Sequence, residues 1–71
     1  MTGRHLEKRS VTIQGHRTSI ALEPEFWAVL DAEAARRGTS LAALVTALDE
    51  ARDRPLASAL RVFCLTEARA R

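Results

Sequence analysis

Acids, two histidines, one cysteine and an uneven set of basic residues are the groups in this 71-residue chain that can do chemistry. Glu23, Glu25, Asp31, Glu33, Asp49 and Glu50 fall on expected helix ends and polar helix faces. No histidine or serine stands beside them in an acid–base or nucleophilic arrangement. Cys64, His5 and His16 lack the clustered spacing of metal ligands. No metal, cofactor or enzymatic activity is therefore expected. The lone Cys64 forms no internal disulfide, suits a reducing compartment, and lies on an apolar helix as a small buried hydrophobe.

The basic residues are unevenly placed. Residues 1–18 carry four Lys/Arg against one acid, residues 19–50 two against six, and residues 51–71 five against two. A basic beginning on an acidic middle points to one edge that faces a polyanion. Residues 1–10 are polar and non-periodic, and read as a flexible basic arm whose Arg4, Lys8 and Arg9 contact phosphate. The opening has no apolar stretch of the kind a signal peptide needs, and no run approaches the ~20 apolar residues that cross a bilayer. A cytoplasmic protein with no membrane partner is expected.

The elements that position these groups begin with "VTIQGHRTSIAL". Val11 and Ile13 put apolar side chains on odd positions, Ile20 and Leu22 on even ones, so one straight strand cannot bury both sets. Either a two-residue turn at Gln14 and Gly15 or a bulge at Gly15 resolves the conflict. In the turn reading Ile13 faces His16, Val11 faces Thr18 and Arg9 faces Ile20. In both, the face opposite Ile20 and Leu22 carries Arg17, Ser19 and Ala21. "EPEFW" then opens a helix with Pro24 at its first position, burying Phe26, Leu30 and Ala34 and ending at Arg36, Arg37 and Gly38. Trp27 beside Phe26 reads as core or interface filling. Thr39 or Ser40 caps a second helix bearing Leu41, Leu44, Val45 and Leu48. A third, 55–69, carries Leu56, Ala59, Leu60 and Phe63, widened by Val62 and Leu65.

A single strand among helices leaves backbone edges unpaired, and a twofold copy of "RTSIAL" would pair it. The expected domain spans 11–71 as a mainly α homodimer with a short β-ribbon.

"RTSIALEPEFWAVLDAEAARRGTSLAALVTALDEA" resembles the ribbon-helix-helix family, the fold of the Arc and MetJ repressors. The likeness lies in a short alternating strand, a helix, a turn of Gly followed by Ser or Thr, and a second amphipathic helix. "KRSVTI" before the ribbon and "SALRVFCL" after the second helix resemble a bacterial stand-alone subfamily. The resemblance implies a DNA-binding transcriptional regulator whose paired strands enter the major groove, with Arg17, Ser19 and Ala21 at the base-reading positions. Arg17 suits guanine and Ser19 several bases, whereas Ala21 departs from the pattern and offers only contact with a thymine methyl. It also implies a phosphate at the turn of Gly38, Thr39 and Ser40. DNA and a second copy are thus the expected partners, with pairing of dimers into tetramers left open. A hairpin at Gly15 gives the dimer a sheet of up to four strands, two of which crowd a groove that a two-stranded ribbon fits, and so leads to the alternative: a protein-interaction module of the same fold, an adaptor or antitoxin-like partner.

Overall fold

The computed structural model describes residues 5–70. Strand β1 (Glu7–Ile13) and strand β2 (His16–Leu22) form an antiparallel hairpin, followed by helices α1 (Pro24–Arg36), α2 (Leu41–Ala51) and α3 (Leu56–Arg69).

The parity conflict is resolved by a two-residue turn. Gln14 and Gly15 have φ of 50° and 84°, the pair of positive values that gives a hairpin the twist of its flanking strands. Gly15 takes this conformation without the steric cost of a Cβ. The register sets Ile13 against His16, Val11 against Thr18, Arg9 against Ile20 and Glu7 against Leu22. Val11, Ile13, Ile20 and Leu22 therefore share one face and enter the core together.

Two expectations change here. The strand begins at Glu7, so residues 7–10 are sheet and not arm; Arg4 lies outside the described residues. Their backbone is ordered by cross-strand pairing with residues 19–22, a contact that polar side chains do not disclose. The second change concerns the dimer. β2 has a partner within its own chain, so an unpaired strand no longer requires a second copy.

Below the sheet, Trp27, Leu30, Val45 and Leu60 are fully buried, with Leu44, Ala34 and Cys64 around them. Trp27 takes the central place expected for Phe26, which packs half-buried at the margin. Its indole N–H donates to the carbonyl oxygen of Glu7 at 2.7 Å, satisfying the one polar atom that its burial would otherwise strand.

Helix ends follow their sequence signals. Pro24 opens α1, and Gly38 (φ 68°) closes it. The amides of Gly38 and Thr39 donate to the carbonyls of Ala35 and Ala34 at 3.1 and 2.9 Å, a glycine-terminated helix stop. Ser40 then caps α2, its hydroxyl oxygen accepting from the Ala43 amide at 3.0 Å. Helix α3 is bound to the start of α1 by Arg61, whose Nε donates to Glu23 at 2.9 Å.

Candidate nucleic-acid interface

Period two makes the outer face of the hairpin a plain consequence of the register. With the odd residues of β1 and the even residues of β2 turned inward, Lys8, Ser10 and Thr12 stand outward beside Ala21, Ser19 and Arg17. Lys8, Ser10, Thr12, Arg17 and Ser19 are exposed, and Ala21 is half-buried. The six positions hold two cations, three hydroxyls, one methyl and no acid. Such a surface donates hydrogen bonds and attracts anions.

Arg17, Ser19 and Ala21 are thus brought onto one face, and Lys8 joins them from β1. Arg9 does not. It lies on the opposite face at the sheet margin, where its guanidinium donates to both oxygens of Asp31 at 3.1 Å and to Glu7 at 2.8 Å. It also lies 4.7 Å from the centre of the Trp27 ring. The hydrogen bonds to Asp31, then to Glu7, raise its pKa further above the ordinary arginine value. A guanidinium with two carboxylates and an indole around it is committed within the chain. The expected phosphate contact by Arg9 is accordingly corrected to a structural tie between β1 and α1.

The turn at 38–40 differs from its expectation in which atoms are open. The amides of Gly38 and Thr39 are spent on closing α1. What remains to meet an anion is the hydroxyl hydrogens of Thr39 and Ser40 with the amides of Leu41 and Ala42, which as the first of α2 have no intrahelical acceptor. The hairpin tip sits at the other end of this helix, Gln14 Nε2 donating to Glu50 at 2.9 Å. An 11-residue helix separates the two by about 15 Å. The turn is therefore a separate contact point, remote from Arg17.

Beside that turn lies a charge cluster that the sequence reading placed among solvated polar positions. Glu33 is fully buried. Its carboxylate accepts from Arg36 and, at 2.6 Å, from Arg37, while Glu67 of α3 lies 3.9 and 3.6 Å from the same two arginines. Arg37 also covers the Phe63 ring at 5.3 Å. The signal was present in the spacing, since i,i+3 and i,i+4 acid–arginine pairs share one helix face. The hydrogen bond that Arg36 donates to Glu33 raises the Arg36 pKa above its ordinary value. Two arginines against two glutamates leave no net charge, so the cluster joins α1 to α3 and is no anion site.

His5 and His16 are exposed. Among the described residues there is no group of three or more His, Cys, Asp or Glu that could hold a metal ion, and no helix long and apolar enough to cross a membrane.

Comparison with known proteins agrees with this geometry. A family model described as "Ribbon-helix-helix domain" matches residues 6–68. A solved structure, that of an uncharacterized protein from Bordetella pertussis Tohama I, superposes with a TM-score of 0.71 at 33% identity, over 84% of this chain and 53% of that one. The chain thus spans about half the length of that structure. No curated protein matches it.

Proposed function

Because the chain belongs to the ribbon-helix-helix domain family, whose members are typically DNA-binding regulators and antitoxins, we propose that it is a DNA-binding transcriptional regulator of the cytoplasm. It acts as a homodimer that offers the outer face of β2 to the major groove. The observation that carries this reading is the acid-free outward face of the hairpin, with Arg17, Ser19 and Ala21 on one strand. Arg17 presents a planar fork to guanine, Ser19 a hydroxyl to several bases, and Ala21 a methyl to thymine. Lys8 and the turn at Gly38, Thr39 and Ser40 meet phosphates, the latter through its hydroxyls and the amides just beyond it.

The second copy joins at the free edge of β2. The turn closes on Ile13 and His16 as a hydrogen-bonded pair, so alternate pairs are bonded and those between are not. Arg17, Ser19 and Ala21 belong to the pairs between, which turns their backbone N–H and C=O away from β1 and toward a neighbour. Half-buried Phe63 and Leu48 with exposed Val62 and Leu65 leave apolar surface on α2 and α3 for the same partner. Enzymatic activity has no place in this reading, as ribbon-helix-helix domains are regulatory folds.

The test is selection of duplexes from a random-sequence pool, followed by electrophoretic shifts at several salt concentrations. A regulator enriches a defined sequence and binds it more tightly than the unselected pool. Failure to retain any duplex at low salt refutes the reading and leaves the protein-interaction module.

A further inference from the structure

The hairpin brings β1 along wherever β2 goes. A second copy added at the free edge of β2 gives a sheet of four strands, with the two β2 strands central and a β1 strand on each flank. At ~4.8 Å between strands, each β2 lies ~2.4 Å and each β1 ~7 Å from the dyad. The major groove is ~12 Å wide, so its walls stand ~6 Å from the same axis. The central strands lie over the groove and point their outward side chains into it. The flanking strands overlie its walls, where the sugar–phosphate backbones run.

We infer that Lys8, Ser10 and Thr12, the outward residues of β1, form a phosphate-binding rail beside the base-facing strand, so that each flank of the sheet grips one DNA backbone. This assignment rests on the DNA-binding reading of the same sheet and extends its Lys8 contact to Ser10, Thr12 and the whole flank. The three side chains are an ammonium and two hydroxyls, all exposed and all able to donate to phosphate oxygens. No acid opposes them on that face.

The register also accounts for the residue that departed from the family pattern. Lys8 stands directly across from Ala21, in a pair of the kind whose side chains lie closest. A short methyl at 21 leaves room for the lysine stem to cross toward the groove wall, and the cation at that end of the sheet comes from β1 instead of β2. At the other end the arrangement is reversed, with Arg17 on β2 and the shorter Thr12 on β1.

The experiment compares the wild-type protein with a Lys8→Ala, Ser10→Ala, Thr12→Ala triple variant and with Arg17→Ala. Sequences are first enriched from a random duplex pool, and affinity for them and for the unselected pool is then measured by fluorescence anisotropy across a potassium chloride series. The triple variant should enrich the same sequence as wild type while binding both duplexes at least about ten-fold more weakly. The slope of log affinity against log salt should fall by about 2, for one lysine on each of two protomers. Lys8→Arg, which keeps the charge, should retain the wild-type slope. Circular dichroism should give the triple variant the wild-type melting curve, since its side chains are exposed.

An unchanged affinity and slope in the triple variant, with altered selection in Arg17→Ala, overturns the rail and leaves the DNA-binding reading standing. A changed enriched sequence in the triple variant also overturns it, placing β1 in the groove as a reader. If wild-type protein binds no duplex, the rail falls together with the reading beneath it.

Discussion

Trp27 of α1 donates its indole N–H to the main-chain carbonyl oxygen of Glu7, the first residue of β1, across 2.7 Å. The bond holds the start of the hairpin over the fully buried indole, and Arg9 seals the contact by lying across the ring. Trp27→Phe keeps most of the apolar volume and loses one hydrogen bond, for an expected cost of ~1 kcal/mol. Trp27→Ala opens a cavity under the sheet and should cost ~3–5 kcal/mol. Urea denaturation of the two variants separates these contributions, and a loss below ~1 kcal/mol in Trp27→Ala would remove Trp27 from the centre of the core.

Ser10 and Ser19 face each other across the hairpin but guard opposite edges. In a non-hydrogen-bonded pair each residue turns its N–H outward, Ser19 toward the free edge of β2 and Ser10 toward that of β1. Proline at either position removes an edge donor and spares the bonds within the hairpin. Ser19→Pro should therefore abolish the dimer while the chain stays folded, and Ser10→Pro should leave the dimer intact. Sedimentation at micromolar concentration reads both. The opposite pattern would move the interface to β1.

The apolar residues of the hairpin were legible because they change parity at Gly15, and only a turn or bulge there lets Val11, Ile13, Ile20 and Leu22 meet. The start of β1 was not. Glu7, Lys8, Arg9 and Ser10 are polar on both faces, so period two has nothing to alternate, and the backbone pairing that orders them leaves no trace in side-chain type. Phe26 and Trp27 both lie near the apolar stripe of α1, and helical spacing alone does not choose between neighbours; the position of the Glu7 carbonyl does. Glu33 looked solvated because an acid on a helix usually is. Its burial depends on two arginines folding back over it and on Glu67 arriving from α3. At the candidate site, Arg17, Ser19 and Ala21 are legible from alternation, whereas the place of Arg9 is not, because its ties to Asp31 and Glu7 depend on a strand that its polar neighbours do not disclose. Which atoms of the turn at Gly38, Thr39 and Ser40 are open to an anion is not legible in the sequence, because the signals for ending one helix and starting the next overlap in three residues.

Arg9 and Arg17 lie on opposite faces of one hairpin, and their variants should fail differently. Arg17→Ala removes an exposed side chain from the groove-facing strand, so thermal stability should hold while discrimination for the selected sequence falls by ~1–3 kcal/mol. Arg9→Ala breaks the ties to Asp31 and Glu7 and uncovers the Trp27 ring. Its melting temperature should fall, and any loss of DNA affinity should follow the loss of folded protein. Scanning calorimetry beside anisotropy on the selected duplex tests both. A stable Arg9→Ala protein with a reduced salt slope would return Arg9 to the phosphate contacts.

Cys64 is enclosed between α3 and α1, its thiol donating to the carbonyl oxygen of Phe26 at 3.5 Å. Burial pushes its pKa up to about 11. Below about pH 8.5 the thiol is protonated in both folded and unfolded chains, and its titration has no effect on stability. Above that pH the unfolded thiol ionises while the folded one holds its proton, so the unfolded state binds fewer protons and stability falls as pH rises. The loss continues until the folded thiol ionises near pH 11, and reaches ~3 kcal/mol at most. The quantity that isolates the thiol is the difference from Cys64→Ala. That variant should be less stable at neutral pH, where it lacks buried volume, and the gap should narrow between about pH 9 and 11. Urea melts at neutral pH and at two alkaline values inside that window measure it. A gap that stays constant across this range would mean that the thiol ionises as readily in the folded chain as in the unfolded one, and that the seat against Phe26 is open to water.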